Sequence, residues 1–401
     1  MTVSLSIQQA RKLVLQAQRI LPGKQSGTAI SATQSAIEHL GYIQIDTISV
    51  VQRAHHHTLW NRNPRYKPSQ LDQLVADKQV FEYWSHAAAY LPMRDFRFTL
   101  PRKNAIANGS QDHWGARDER LMKSILKRIE TEGPLMARDF DHSGKKTGDW
   151  GLKPAKRALE YLFMQGDLMA PYRANFHKVY DLTERALPEC TDTSLPSPEE
   201  YARFLITRYL RANGLGQAIE MAYLLKDTRA QVSSALHEMV SSGELLEVHT
   251  AGDTYFALPS SLELLNKSLA RSRVKILSPF DNLLIQRKRM KQLFGFDYLV
   301  ECYVPETKRR YGYFALPVLW NGHLVARMDC KADRKKSILH INQIFLEPMA
   351  AKKTDAFCLA FAKELESFRG FNHCKTVQLH RTSPVSYKSV LTAAINNRTA
   401  G

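Results

Sequence analysis

Gln44 and Asp46 stand two residues apart in YIQIDTISV, Tyr42 to Val50, a stretch whose β-branched residues and alternating polarity predict a strand. Side chains at i and i+2 of a strand share a face, so Gln44 and Asp46 project together while Ile43 and Ile45 face the other way. An amide beside a carboxylate suits one water molecule, which the carboxylate polarises and the amide orients. The same carboxylate can stabilise a neighbouring cationic sugar. A half-buried strand showing its polar face to solvent would carry the same pattern.

A basic and aromatic stretch follows, VVQRAHHHTLWNRNPRYK, with Arg53, His55, His56, His57, Arg62, Arg65 and Lys67 interleaved with Trp60 and Tyr66. Cations of this kind contact phosphates and aromatics stack on bases. Consecutive histidines on one strand diverge, and no CxxC or HExxH partner exists, so no metal is expected. In VFEYWSHA, strand geometry would set Glu82, Trp84 and His86 on one face, where they could line a base pocket or pack in a core. Lys153, Lys156 and Arg157 open a helix that could present them to phosphates or merely to solvent. In ETKRRYGY, Lys308, Arg309 and Arg310 beside Tyr311 fit a basic hairpin reaching a groove, or a solvated turn. There is no Walker A motif, Rossmann glycine fingerprint, GxSxG or zinc-deaminase pattern, so no cofactor is expected.

The elements that must position these residues follow a repeating theme. Ser6 and Gln9 have capping-box spacing for a helix to Leu21, and a second helix spans Ala32 to Leu40 before Gly41. A third is predicted at Ser69 to Ala76. Next come helices over Glu119 to Glu132, Leu135 to Phe140 and Lys153 to Met164, then DLMAPYRANFHKVYDL as a hairpin. Helices over Glu199 to Ala212, Gln217 to Leu225 and Arg229 to Ser241, then ELLEVHTAGDTYFAL, repeat the order. The phrases ALEYLFMQGDLM and ALHEMVSSGELL occupy equivalent places, which marks an internal repeat. Three helices and a hairpin make a winged helix. From Arg273 the texture turns to strands, RVKILSPFDNLLIQRKRM and YLVECYVP among them. One helix over Lys353 to Phe368, the strand TVQLH and a loose tail after Val385 close the chain. The expected fold is α+β: winged-helix units over residues 1–112, 113–192 and 193–262, then a β-barrel-like domain over 263–401.

Charge points to the partner. Among 401 residues, Lys and Arg number 56 against 39 Asp and Glu, a formal net charge of +17. Such a surplus favours a polyanion, since each neutralised phosphate releases counterions. Five cysteines without a CxxC pair fit a reduced compartment. No run is apolar enough to span a bilayer and the first residues lack a signal-peptide core, so no membrane role and a cytoplasmic, nucleoid-associated protein are expected.

In order along the chain, GYIQIDTI, RAHHHTLWNR, EYWSHAAAYLP, SPFDNLLIQRKR and YGYFALPVLW with LVARMDCKADR resemble the bacterial winged-helix DNA glycosylases of the AlkZ/AlkX (YcaQ-like) family. Gln44-Ile45-Asp46 is similar to the Gln-x-Asp branch, that of AlkX. The resemblance implies three tandem winged helices and a C-terminal β-barrel around a DNA-sized channel. It also implies monofunctional excision of 7-alkylguanine and unhooking of interstrand crosslinks, with Asp46 and Gln44 catalytic. Arg53, His55, His56, Trp84, His86, Lys153, Lys156, Arg157, Lys308, Arg309 and Arg310 are the candidate contacts to double-stranded DNA carrying alkylated or crosslinked guanine. A crosslinked base cannot swing freely, so a shallow site acting without full base flipping is expected, on a monomeric enzyme. The alternatives are a non-enzymatic winged-helix regulator, for which a carboxylate facing the DNA backbone would be a liability, and an RNA-binding or structural chromatin protein.

Overall fold

The computed structural model describes residues 2–21, 23, 27–112, 117–140, 154–225 and 227–399. It is an α+β fold with four sheets. Strand β1 (Thr2–Ser4) opens the chain. Strands β2 (Ile43–Gln44), β3 (Val80–Trp84) and β4 (Ala88–Pro92) form a sheet in the order β2-β4-β3. Strands β5 (Leu135–Met136), β6 (Leu168–Ala174) and β7 (His177–Leu182) form a second, in the order β5-β7-β6. Strands β8 (Leu246–Thr250) and β9 (Asp253–Ala257) form a hairpin to which β1 adds in parallel, so the first residues pack with the third sheet rather than the first. Strands β10 (Val274–Ile276), β11 (Ala315–Trp320), β12 (His323–Asp333), β13 (Ile338–Leu346) and β14 (Thr376–Ser383) form the fourth, in sequence order.

The helices form where capping and periodicity place them. Ser6 and Gln9 close a capping box on the helix Ile7–Ala17, and Ser197 with Glu200 does the same for Pro198–Asn213. Helix Ala29–Leu40 stops at Gly41, whose φ of 77° suits glycine. Helices Glu119–Glu132 and Pro154–Gln165 precede the β6–β7 hairpin, and Pro198–Asn213 and Arg229–Ser241 precede β8–β9, in the predicted order. The expected short helices are smaller: Leu135 and Met136 join a sheet before one 3-10 turn, and only Ala218–Met221 is helical in its segment.

The C-terminal sheet is not a closed barrel. β13 and β14 run parallel because helix Thr354–Phe371 crosses between them, which carries β14 outward instead of back to β10. That helix covers the sheet with Phe357, Phe361, Leu365 and Phe368 buried. Residues after Val385, expected to be loose, form helix Lys388–Thr399, which seats Leu391 and Ile395 in the core. RVKILSPFDNLLIQRKRM is a strand only at Val274–Ile276. Asp281 then caps a turn by accepting the Leu283 N–H at 3.0 Å, and Arg287–Phe294 is helical. YLVECYVP holds a 3-10 turn, Glu301–Tyr303, and no strand.

One core spans the front and back of the molecule. Ile37, Ile43, Ile45, Val51 and Leu59 belong to the same buried cluster as Leu316, Val318, Ile341 and Phe361. The segment carrying Gln44 and Asp46 is therefore clamped between the first sheet and the C-terminal sheet. Among the described residues no helix is long and apolar enough to cross a membrane.

Candidate active site

The expected strand over Tyr42–Val50 lasts two residues. β2 pairs with β4 as Ile43 with Tyr90 and Gln44 with Ala89, and the Ile45 N–H donates to the Ala88 carbonyl at 2.8 Å. Ala88 is where β4 begins, after the turn at Ser85–Ala87, so no partner remains for the residues beyond. The chain leaves the sheet and Asp46 sits on a loop. Its Oδ1 accepts the Ile48 N–H at 2.6 Å, a side-chain turn typical of Asp. The loop is then tied to the C-terminal sheet: Ala332 N–H donates to the Val50 carbonyl at 2.8 Å, and Arg334 donates to the carbonyls of Ser49 at 3.0 Å and Val51 at 2.9 Å. Asn372 accepts the Gln52 N–H at 2.8 Å. Asp46 is half-buried between exposed Thr47 and buried Ile45. Burial raises its carboxyl above the usual range, and the Ile48 N–H opposes that shift.

Gln44 is held by His86, with Nε2 to Oε1 at 3.1 Å. Burial, then the Arg208 charge, pushes the imidazole down to about 4, so it is neutral at physiological pH. A carbonyl oxygen has no proton to give, so His86 Nε2–H donates to Gln44. The Gln44 amide is then oriented with its NH2 turned away from His86. Tyr42 meets the His86 ring edge-on at 5.3 Å and Tyr223 lies at 5.7 Å, which fixes the imidazole. The Asp46 charge is also felt by Cys302 and Tyr303, each raised first by burial and then by that carboxylate. Tyr303 is 75% exposed. No sequence pattern singled it out, because its neighbourhood reads as a strand and only the fold carries it to Asp46.

The other predicted residues divide sharply. Arg53 is the N-cap of helix Ala54–Arg62, its guanidinium 3.9 Å above the Phe176 ring. The histidine run lies on this helix, not on a strand, and its members face three ways. His55 is buried and stacked on Phe176 at 5.9 Å. His56 Nδ1 meets the Tyr66 hydroxyl at 2.7 Å, and His57 Nε2 meets the Ile276 carbonyl at 2.9 Å. Burial lowers all three, His56 and His57 to about 4 and His55 well below its ordinary value. Trp60, Arg62 and Tyr66 are buried too, so most of this basic stretch is core.

Glu82, Trp84 and His86 do not share a face. β3 ends at Trp84, His86 lies in the following turn, and Glu82 is buried against Arg173 with both carboxylate oxygens at 2.7 Å. Trp84 and His86 line one cleft with Tyr201, Arg208 and Tyr223, while Asp46 lies outside it. Lys153 falls outside the described residues. Lys156 is exposed and Arg157 half-buried on helix Pro154–Gln165. No hairpin forms at Lys308, Arg309 and Arg310: Lys308 ends a 3-10 turn, Glu306–Lys308, and the two arginines follow in a loop. Buried Glu301 shapes it by accepting the N–H groups of Arg310 at 3.1 Å, Tyr311 at 2.7 Å and Gly312 at 3.1 Å. Arg309 lies 5.0 Å over Tyr313. The fold thus brings Gln44, His86, Asp46 and Arg53 onto one continuous segment and its supports, with the 301–313 loop beside Asp46. Among the described residues no group of three or more His, Cys, Asp or Glu is arranged to hold a metal.

The family model described as DNA glycosylase AlkZ-like matches residues 37–371. The chain belongs to the AlkZ-like DNA glycosylase family. It is therefore a DNA glycosylase, an enzyme of DNA repair, which sets aside the regulator without chemistry. The solved DNA glycosylase AlkZ of Streptomyces sahachiroi is similar in fold, with a TM-score of 0.64 over 95% of this chain and 100% of that one, at 15% identity. The matched span of this AlkZ-like chain contains the Gln44–Asp46 loop, its His86 support and the Arg334 clamp.

Proposed function

We propose that this glycosylase hydrolyses the N-glycosidic bond of 7-alkylguanine in double-stranded DNA, unhooks guanine interstrand crosslinks, and acts as a monomer. Asp46 is the electrostatic stabiliser and water activator, and Gln44 positions the water. The observation that carries this reading is a half-buried carboxylate of raised pKa on a pinned loop, two residues from an amide whose orientation His86 fixes. A 7-alkylguanine is cationic, so it leaves without an acid catalyst. The N9–C1′ bond breaks and its electron pair departs with the base, which becomes neutral. Asp46 faces the cationic sugar, water adds at C1′, and its proton passes to the carboxylate and on to solvent, leaving an abasic site. A raised pKa makes Asp46 a better base for that last transfer. Lysine chemistry is not required.

Unhooking a crosslink requires access without swinging the base into a closed chamber. The exposed neighbours Thr47 and Ser49, and the position of Asp46 outside the aromatic cleft, support a shallow site. Three winged-helix units over 1–112, 113–192 and 193–262, with residues 263–401 completing the groove, are the proposed division of the chain. Arg53, Lys156, Arg157, Lys308, Arg309 and Arg310 supply its cationic lining. The test is release of 7-methylguanine, read as alkali-labile breaks at guanine, and unhooking of a nitrogen-mustard crosslink on a denaturing gel. Asp46→Asn should abolish both while leaving duplex affinity within about three-fold, since the change costs less than 1 kcal/mol of binding. A wild-type rate in that variant removes Asp46 from the mechanism. A wild-type protein that spares 7-methylguanine overturns the substrate.

A further inference from the structure

Arg53 and Arg334 converge on the far end of the active-site loop without a counter-charge. Arg53 ends the loop as the N-cap of helix Ala54–Arg62, and among the described residues no side chain caps that terminus. A cation there has the wrong sign for the helix dipole. Its guanidinium is flattened on Phe176 at 3.9 Å, at the tip of the β6–β7 hairpin, where Asn175 and Phe176 take φ of 49° and 68°. Its Nε is buried with no hydrogen-bond partner among the described residues. Arg334 arrives from the turn between β12 and β13 and spends two N–H groups on Ser49 and Val51 carbonyls. Neither arginine has a carboxylate partner among the described residues. Nearby Arg173 is neutralised by Glu82, and Asp333 turns to the Lys336 N–H. Burial, then the charges of Arg334 and Arg173, lower Arg53. Two immobilised guanidiniums in each other's field, at a helix N-terminus, lack only an anion.

We propose that Arg53 and Arg334 bind one phosphodiester of the lesion-bearing strand, and that this contact sets the loop carrying Asp46. Arg334 is the positioning residue: one edge of its fork holds the loop carbonyls and the other meets the phosphate, so docking of the backbone and placement of the carboxylate are one event. Three separate parts of the chain build the site, namely the end of the loop, the β6–β7 hairpin tip and the β12–β13 turn. It accepts a phosphate oxygen by charge and fork geometry and reads no base. The assignment of a role to the loop rests on the proposed function of Asp46; the phosphate site itself does not.

The test is binding of wild-type protein to duplexes that carry an uncleavable abasic analogue and a neutral methylphosphonate at each backbone position in turn. One position near the analogue should weaken wild-type binding about ten-fold, the scale of one charge-assisted contact. The same substitution should cost Arg53→Gln/Arg334→Gln nothing, and the salt slope of that double variant should fall by about one, the share of one phosphate. Equal losses in wild type and double variant overturn the site, as does a scan of the wild type alone with no sensitive position. Arg334→Lys keeps the charge but cannot fork to two carbonyls, so its salt slope should stay while single-turnover excision falls about ten-fold. A full wild-type rate in Arg334→Lys overturns the positioning role. Because the binding scan needs no excision, a wild-type protein that fails to excise 7-methylguanine overturns the proposed function and leaves the phosphate result standing.

Discussion

The two ends of helix Ala54–Arg62 use the same residue types for opposite purposes. At its C-terminal end Arg62 is fully buried. It meets both oxygens of Asp281 at 2.8 and 2.9 Å, the Gln18 carbonyl at 3.0 Å and the Gln18 side chain at 2.8 Å. Asn61 and His57 both reach the Ile276 carbonyl at 2.9 Å. At its N-terminal end Arg53 is half-exposed, stacked on Phe176 and without a carboxylate partner among the described residues. One end is a bolt between the first helices and the C-terminal region; the other is a surface awaiting charge. A basic run in a sequence is thus not one feature, because helical rotation and the position of a single aspartate decide which cations are spent inside.

Variants at the bolted residues should move stability and leave per-molecule excision intact, and variants at the open end should do the reverse. The largest expected effect is at Asp281→Ala, which strands a buried guanidinium and should cost about 3–5 kcal/mol in denaturant unfolding. Loss of excision in molecules that remain folded would break the division. Lys103 is a buried cation of the opposite kind: it rests 3.8 Å over Phe96 and 4.8 Å over Tyr83, with no acid partner among the described residues, and burial lowers it to about 7. Its unfolded form takes a proton near 10.5, so stability should be greatest above that pH, fall as the pH drops toward 7, and change no further below. Lys103→Met should remove this slope and stabilise the protein by about 1–3 kcal/mol at pH 7.

In the turn after β3, His86→Phe keeps a ring between Tyr42 and Tyr223 but loses the N–H that orients Gln44. Excision should fall about ten-fold with the melting temperature unchanged, the scale of one hydrogen bond. Because His86 titrates only near 4, wild-type excision should show no inflection near 6.5. The smallest effect is a displacement. Burial raises Asp46, so excision should decline on the acid side from a pH above the ordinary aspartate value of 3.8, and the protonated fraction should account for the whole decline. A limb at or below 3.8 would mean that the carboxylate reaches water more freely than the fold suggests.

Much of the scaffold was legible. The capping boxes at Ser6 and Ser197, the stop at Gly41 and the repeated helix-and-hairpin order are local, and short-range hydrogen bonds and periodicity set them. The pair Gln44 and Asp46 was legible as residue types. Its geometry was not: the strand failed after Gln44 because β4 has no residue left to pair, and that depends on a turn forty residues away. The barrel failed for a similar reason, since a crossover helix rather than any strand pattern sets the parallel β13–β14 pair.

By itself the sequence determined the family, the excess of positive charge and the amide and carboxylate set two residues apart, because these reside in residue identity and order. Only the tertiary structure decided that Asp46 leaves its strand, that His86 holds Gln44, that Arg62 is spent on Asp281 while Arg53 is not, and that Arg334 from the far end of the chain clamps the loop. Those outcomes depend on which carbonyls and charges meet across tens to hundreds of residues, and burial then sets how each group titrates.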